Sequence, residues 1–240
     1  MMEKEKVFRF KQFAVVNDKA AMRVGTDGVL LGAWCSVDGA KRVLDVGTGT
    51  GVIALMVAQR NSTALIDAID VDITAAEVCR MNFDASPWAD RLTAIHTDLN
   101  KYQADCAYDL IVCNPPFFDK GVLPPNGARS IARHNQTLTI GQLINSAARL
   151  LSATGRLAMV TPADTDRQVR RCAVEAGLQI QRIAQVCPVE GRPPKRMLWE
   201  IGTLTMTGEV VAETLCIEND NPRRYSDRYM ALCRDFYLKM

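Results

Sequence analysis

His96 and His134 are the only histidines in a chain of 240 residues. The eight cysteines, at positions 35, 79, 106, 113, 172, 187, 216 and 233, contain no C-x-x-C pair. Zinc sites need clustered cysteine and histidine ligands, so this sparse, scattered set predicts reduced, mostly buried thiols and no metal centre. Long apolar runs are also missing. No stretch approaches a membrane span, and Met1-Met2-Glu3-Lys4-Glu5-Lys6 lacks the hydrophobic centre of a signal peptide, so the expected location is cytoplasmic and away from membranes. On that footing the N-x-T matches at Asn61 and Asn135 are coincidences of spacing. The formal charge is only +2, so a nucleic-acid partner would be held by a local basic patch and not by an overall field.

What is present is a large apolar fraction, 48% of the chain, enough for one α/β domain with a sizeable core. The expected division is an N-terminal lead-in over residues 1–40, a core over 41–207 and a C-terminal extension with a docking helix over 208–240. The organising stretch is Arg42-Val43-Leu44-Asp45-Val46-Gly47-Thr48-Gly49-Thr50-Gly51, a buried strand running into a glycine-rich turn, followed by a helix from Val52 to Arg60. A dinucleotide fingerprint would be G-x-G-x-x-G, whereas the glycines here stand at 47, 49 and 51 with Val52 where the third should be. The pattern Asp45-x-Gly-x-Gly-x-Gly instead resembles motif I of class I S-adenosylmethionine-dependent methyltransferases. Its plain structural alternative is a tight strand-to-helix turn.

Ahead of this turn, Thr26 and Asp27 suit either the cap of a helix through Ala33 or closure over the methionine end of a cofactor. Beyond it, the second strand, Ala64 to Ile69, ends at Asp70-Val71. Asp70 lies about twenty residues past the glycines, where an acid accepts hydrogen bonds from ribose hydroxyls, while Asp72 suits the cap of a helix over 74–85. The third strand, Leu92 to Thr97, leads to Asp98 and Leu99, placed to meet an adenine amino group and the flank of its ring; a loop carboxylate is the alternative. His96 reads as a packed strand residue. The fourth strand, Tyr108 to Cys113, delivers Asn114-Pro115-Pro116-Phe117-Phe118 at its carboxyl end, where ligands bind in doubly wound sheets. A coil over 119–135 suits a substrate loop. Helices over 138–151 and 165–176 flank a strand over 156–160. Then strands over 179–186 and 197–205 form a hairpin, so the last strand should run antiparallel. The tail places Tyr225, Tyr229, Leu232, Phe236 and Tyr237 at helical spacing.

Asn-Pro-Pro-Phe carries a specific chemistry. An exocyclic amine on an aromatic ring is a poor nucleophile because its lone pair is delocalised. The Asn114 side-chain oxygen and the Pro115 carbonyl can accept the two amine hydrogens and direct the lone pair outward, while Phe117 stacks on the flipped ring. Two prolines fix the turn and remove competing N–H donors. A proline turn closing a buried strand is the structural alternative.

Taken together, the glycine turn, Asp70, Asp98 and Asn114 to Phe117 resemble the amino-directed methyltransferases. Phe10-Lys11-Gln12-Phe13, Arg23-Val24-Gly25-Thr26-Asp27-Gly28-Val29-Leu30-Leu31-Gly32-Ala33-Trp34 and Gly191-Arg192-Pro193-Pro194-Lys195-Arg196 resemble, over nearly the whole chain, the bacterial tRNA N6-adenine methyltransferases that modify adenine 37 of a valine tRNA. The resemblance implies a Rossmann-like, seven-stranded, mostly parallel sheet with helices on both faces. It implies S-adenosyl-L-methionine as cofactor, held by Thr26, Asp45, Gly47, Thr48, Gly49, Gly51, Asp70, Val71, Asp98, Leu99 and Asn114. Asn114, Pro115, Pro116 and Phe117 would hold the target base, and the partner is a tRNA bound to a monomer. Phe118 departs from the frequent tyrosine and removes a hydroxyl contact. Arg129, Arg133, Lys195 and Arg196 are the candidate phosphate contacts, each equally readable as a solvated charge. Methylation of a release-factor glutamine, or a cofactor-binding RNA module without catalysis, stay open as alternatives. The first usually needs a helical domain for which about forty leading residues leave no room, and the second is disfavoured by the intact Asn114 turn.

Overall fold

The computed structural model describes residues 6–17, 24–115, 138–203, 209–220 and 224–240. Alternation along the central strand sets the layering. In β3 (Arg42–Val46), Val43 faces one apolar cluster and Leu44 and Val46 face the other, all at most 2% exposed. A strand buried on both faces belongs inside a parallel sheet. β3 pairs in parallel with β4 (Leu65–Asp70) on one side and β6 (Tyr108–Cys113) on the other. β5 (Leu92–His96) lies beyond β4, and β7 (Leu151–Pro162) beyond β6.

The hairpin expected near the carboxyl end is present. β8 (Leu178–Val189) and β9 (Arg196–Thr203) pair antiparallel, and β9 also runs antiparallel to β7. The sheet has one strand more than the seven expected. β10 (Val211–Glu218) joins β8 in parallel and gives the order β10-β8-β9-β7-β6-β3-β4-β5. It falls in the stretch read as an extension with a docking helix. As an edge strand with Glu213 at its middle and several exposed residues, it lacks the apolar run that marks inner strands. A separate hairpin of β1 (Val7–Arg9) and β2 (Ala14–Val16) precedes the sheet.

Helices cover both faces. α1 (Thr26–Trp34) and α2 (Val52–Arg60) pack with the hairpin on one cluster. α3 (Ile73–Asp84) adds Cys79 and Phe83 to it and is capped by Asp72, which accepts the Thr74 N–H at 2.9 Å. α4 (Ile140–Leu150) and α5 (Asp166–Glu175) fill the opposite cluster. α4 begins with a reciprocal cap in which Thr139 and Gln142 satisfy each other's backbone N–H. Gly177, at φ +70°, follows the end of α5 in the left-handed conformation that commonly closes a helix. α6 (Asp227–Cys233) starts from Ser226, whose hydroxyl accepts the Tyr229 N–H at 3.1 Å. The tail buries Tyr229, Cys233 and Phe236 and leaves Tyr225 exposed. It closes onto the N-terminal hairpin: Phe10 bridges Tyr237, and Phe236 accepts the Lys11 N–H at 2.8 Å. Lys11 Nζ also donates to the Arg234 carbonyl and to Met240 O.

The far edge of the sheet is tied down by charge. The Glu213 carboxylate on β10 accepts from Trp34 Nε1 at 2.8 Å, from Arg182 Nη2 at 2.8 Å and from Arg228. Arg182 also lies 4.2 Å above the Trp34 ring. Glu213 is 11% exposed, so removing it strands an arginine and an indole N–H in a largely dry place. Glu213→Ala is expected to lower stability by about 2 kcal/mol, read as a drop in the urea midpoint at unchanged m-value.

Candidate active site

The site is built by strand register. Val46 pairs with Ile69 on one side and with Cys113 on the other, so Gly47, Asp70 and Asn114 stand abreast at the carboxyl edge of three adjacent strands. Because β4 and β5 are laid down to one side of β3 and β6 to the other, the strand order reverses here, which is where such sheets hold ligands. The next pairing, Asp70 with His96, brings Asp98 to the same edge one strand further out.

The glycine turn needs its glycines. Gly47, Gly49 and Gly51 have φ of +66°, +55° and +81°, the left-handed region that side chains rarely adopt. At Gly47 and Gly49 the direction of an added Cβ is empty to 4 Å, leaving open space along the turn. At Gly51 an added Cβ would sit 2.7 Å from the Phe83 ring and 2.9 Å from Cys79 Sγ, so this glycine lets α3 pack against the start of α2. The turn is anchored to β4 by three hydrogen bonds: Gly47 N–H and Thr48 N–H donate to the Ile69 carbonyl at 2.9 and 3.1 Å, and Gly49 N–H donates to Asp70 Oδ2 at 2.9 Å.

Two carboxylates face this turn without a cationic partner among the described residues. Asp45, 1% exposed, accepts through Oδ2 from Thr48 Oγ1 at 2.8 Å and Ala54 N–H at 3.3 Å, while its buried Oδ1 has no partner. Burial pushes its carboxyl up to about 7, against the pull of the Thr48 and Ala54 hydrogen bonds. Burial likewise raises Asp70 despite the N–H groups of Asp72 and Gly49. The Cys113 thiol, buried beside both acids, is pushed far up and stays protonated. Acids whose proton affinity is raised by burial become easier to ionise when a cationic guest lies beside them.

Asn114 is half-buried at the end of β6 and Pro115 is buried. α1 forms the wall beside them: a Cβ on Gly28 would lie 3.6 Å from Asn114 Nδ2 and 3.8 Å from the side chains of Val52 and Ile53. Sequence reading gave Gly28 no role. It also missed Asn82, 2% exposed, which donates to the Thr50 carbonyl at 2.8 Å and accepts the Val16 N–H at 2.8 Å, fastening the hairpin beside the glycine turn. The only available signal was a polar residue on the inward face of α3.

Other candidates fall as follows. Thr26 and Asp27 are not caps: α1 has Gly25 at its N-cap position with no side-chain hydrogen bond. Thr26 is exposed in the first turn, and Asp27 is drawn to Arg196 at 2.8 Å. Asp98 is partly exposed and closes a turn by accepting the Asn100 N–H at 2.9 Å, with Leu99 buried behind it and Val71 44% exposed beside the edge. His96 is exposed rather than packed, with Nε2 at 3.1 Å from the Val71 carbonyl. Lys195 is exposed in the turn before β9, on the same edge as Asn114, and Arg196 is the first residue of β9. Pro116, Phe117, Phe118, Arg129 and Arg133 lie outside the described residues. Among the cysteines, six are buried, Cys216 is intermediate and Cys106 is exposed, all of them free thiols.

Comparison with known proteins agrees with this geometry. Residues 24–170 match the family model of the methyltransferase small domain. The arrangement superposes on an enzyme of Agrobacterium tumefaciens described as a predicted O-methyltransferase, with a TM-score of 0.66 at 16% identity over 88% of this chain and 96% of that one. It also superposes on an O-methyltransferase family protein of Burkholderia thailandensis, with a TM-score of 0.53 at 17% identity over 75% and 56% of the two chains. Likeness at that identity shows a shared fold. The fold and the glycine turn therefore define a Rossmann-like methyltransferase. Its narrower place comes from sequence: the chain is 44% identical to a protein of Parabacteroides distasonis over 97% of this chain and 98% of that one, and 43% identical to one of Tolumonas auensis over 97% of each. Both are named tRNA1(Val) (adenine(37)-N6)-methyltransferase, and this chain belongs to that family.

The raised Asp45 carboxyl has a measurable sign. Below about pH 4 folded and unfolded chains both hold its proton. As pH rises to about 7 the unfolded chain loses it while the folded chain keeps it, so folded stability falls across that window by at most about 4 kcal/mol and then levels. In the cofactor-free protein, the melting temperature of Asp45→Asn relative to wild type should therefore climb between pH 5 and pH 8. A difference independent of pH would mean that Asp45 ionises normally.

Proposed function

We propose that this protein transfers a methyl group from S-adenosylmethionine to N6 of an adenine in tRNA, at the adenine 37 of a valine tRNA that the names of its relatives specify, with Asn114 holding the target amine. The observation that carries this reading is the alignment of Asp70, Gly47 and Asn114 abreast on three neighbouring strands. One edge thus serves cofactor and base together.

The residues suit the cofactor. S-adenosylmethionine supplies an electrophilic methyl group on a sulfonium centre. Asp45 and Asp70, both without basic partners among the described residues, would hold its cationic and sugar portions. The open backbone of Gly47 and Gly49 admits a ligand where side chains would fill the space. Asp98 and Leu99 would flank the adenine, with Thr26 and Val71 at the margins of the cleft.

The base is handled by Asn114 to Phe117. Accepting both amine hydrogens, at the Asn114 side-chain oxygen and the Pro115 carbonyl, turns the nitrogen lone pair out of conjugation. A neutral amide does this at any ordinary pH. Rate then comes from alignment, and the proton leaves after transfer. Phe117 stacks on the flipped base. Lys195, Arg129 and Arg133 are the proposed phosphate contacts around it.

Transfer of labelled methyl to total RNA from a strain lacking the gene, followed by nucleoside analysis, tests the reading. The expected product is N6-methyladenosine in tRNA, and Asn114→Ala should lower kcat on the order of a thousandfold. Label entering a release-factor protein instead of RNA would move the reaction to a glutamine amide.

A further inference from the structure

We propose that the ion pair between Asp27 and Arg196 is a strut that fixes the first turn of α1 against the Asn114 turn, making these two side chains positioning residues for methyl transfer; the inference rests on the tRNA-methylation reading above. Arg196 is well anchored for this. It opens β9 between two partners, paired with Pro162 at the end of β7 and with Val186 on β8. The preceding Lys195 is held on both sides, its N–H donating to the Val186 carbonyl at 2.8 Å and its carbonyl accepting from Ala163 N–H at 3.2 Å and from Arg196 Nη1 at 3.1 Å. The guanidinium is thus presented from a fixed point of the sheet, and its Nε donates to Asp27 Oδ2 at 2.8 Å.

At the other end of the strut, Asp27 precedes the glycine whose missing side chain makes room for Asn114. α1 has no side-chain cap, so the side-chain polar restraint on its first turn comes from the Asp27–Arg196 pair. A small displacement of the turn changes the wall that Asn114 rests on, and small misplacements of a reacting pair cost rate. The same contact removes Arg196 from free display as a phosphate ligand, since its Nε faces a carboxylate and its Nη1 a carbonyl.

Charge exchange separates the two roles. With full-length protein and a valine tRNA transcript, Asp27→Asn and Arg196→Gln are each expected to lower kcat on the order of tenfold, with the KM for tRNA within about twofold. The double exchange Asp27→Arg with Arg196→Asp should recover most of that loss. A loss seen in the KM for tRNA with a shallower salt dependence, and not recovered by the exchange, would make Arg196 a phosphate contact and overturn the strut. Unchanged kinetics in both single variants would also overturn it. If the wild-type protein methylates no tRNA, the parent reading fails, and amide hydrogen exchange then decides the strut alone: Asp27→Asn should speed exchange in the first turn of α1 but not in its last, and equal protection in both proteins would overturn it.

Discussion

One carbonyl holds the glycine turn in place. The oxygen of Ile69, at the last position where β3 and β4 pair, receives the N–H groups of Gly47 and Thr48 together. A backbone that bends through left-handed angles at three glycines would otherwise leave its N–H groups unsatisfied and its conformation loose. Fixing it to the end of β4 also fixes Gly49 on Asp70, because the Asp70 carboxylate follows directly on that strand. The glycine turn and Asp70 are therefore one hydrogen-bonded unit, and β6 adds Asn114 to it through the pairing of Cys113 with Val46.

The electrostatics of this unit run against stability and toward binding. A buried carboxylate with one unsatisfied oxygen and no counter-ion is an expensive feature for a core, and its raised proton affinity is the visible consequence. Elsewhere on the same sheet the chain pairs its acids carefully: Asp67 meets Arg42 at 2.7 Å and Glu213 meets Arg182 and Arg228. At the carboxyl edge of β3 and β4, Asp45 and Asp70 have no such partner among the described residues. Under the proposed cofactor assignment, a cationic ligand at that edge would supply what the chain withholds, and leaving the acids unpaired would prepare part of the affinity.

Legibility in the sequence follows the range of the interactions. The glycine turn, Asp70, the Asp72 cap, the inner strands and the β8–β9 hairpin are specified within a few residues, and each stands where its local pattern places it. Long-range features do not announce themselves. β10 is stabilised as a strand by Glu213 meeting arginines 31 and 15 residues away in the chain. Asn82 finds a partner 66 residues back in β2, and Arg196 finds Asp27 at a separation of 169. In the last case Lys195 and Arg196 are adjacent and equally basic, yet Lys195 is exposed while the partly exposed Arg196 pairs with Asp27 on α1.

α1 shows how these distant contacts converge on the site. Seven of its nine residues are buried, so it lacks the polar face by which a surface helix is usually oriented. Charge orients it instead. Asp27 sits in the first turn, near the positive end of the helix dipole. At the other end Arg60 donates to the Gly32 and Cys35 carbonyls at 2.8 and 2.7 Å, and Arg182 donates to the Trp34 carbonyl at 3.1 Å, satisfying acceptors that helix termini leave open. Arg182 is in turn held by Glu213, and Asp27 by Arg196, so both ends of α1 are referred to strands at the far side of the sheet. A helix fixed at its two ends has little freedom to slide, and Gly28, the residue after the first anchor, is where that fixed position meets Asn114. The outer strands, which carry none of the glycine turn, thereby take part in setting the wall beside Asn114.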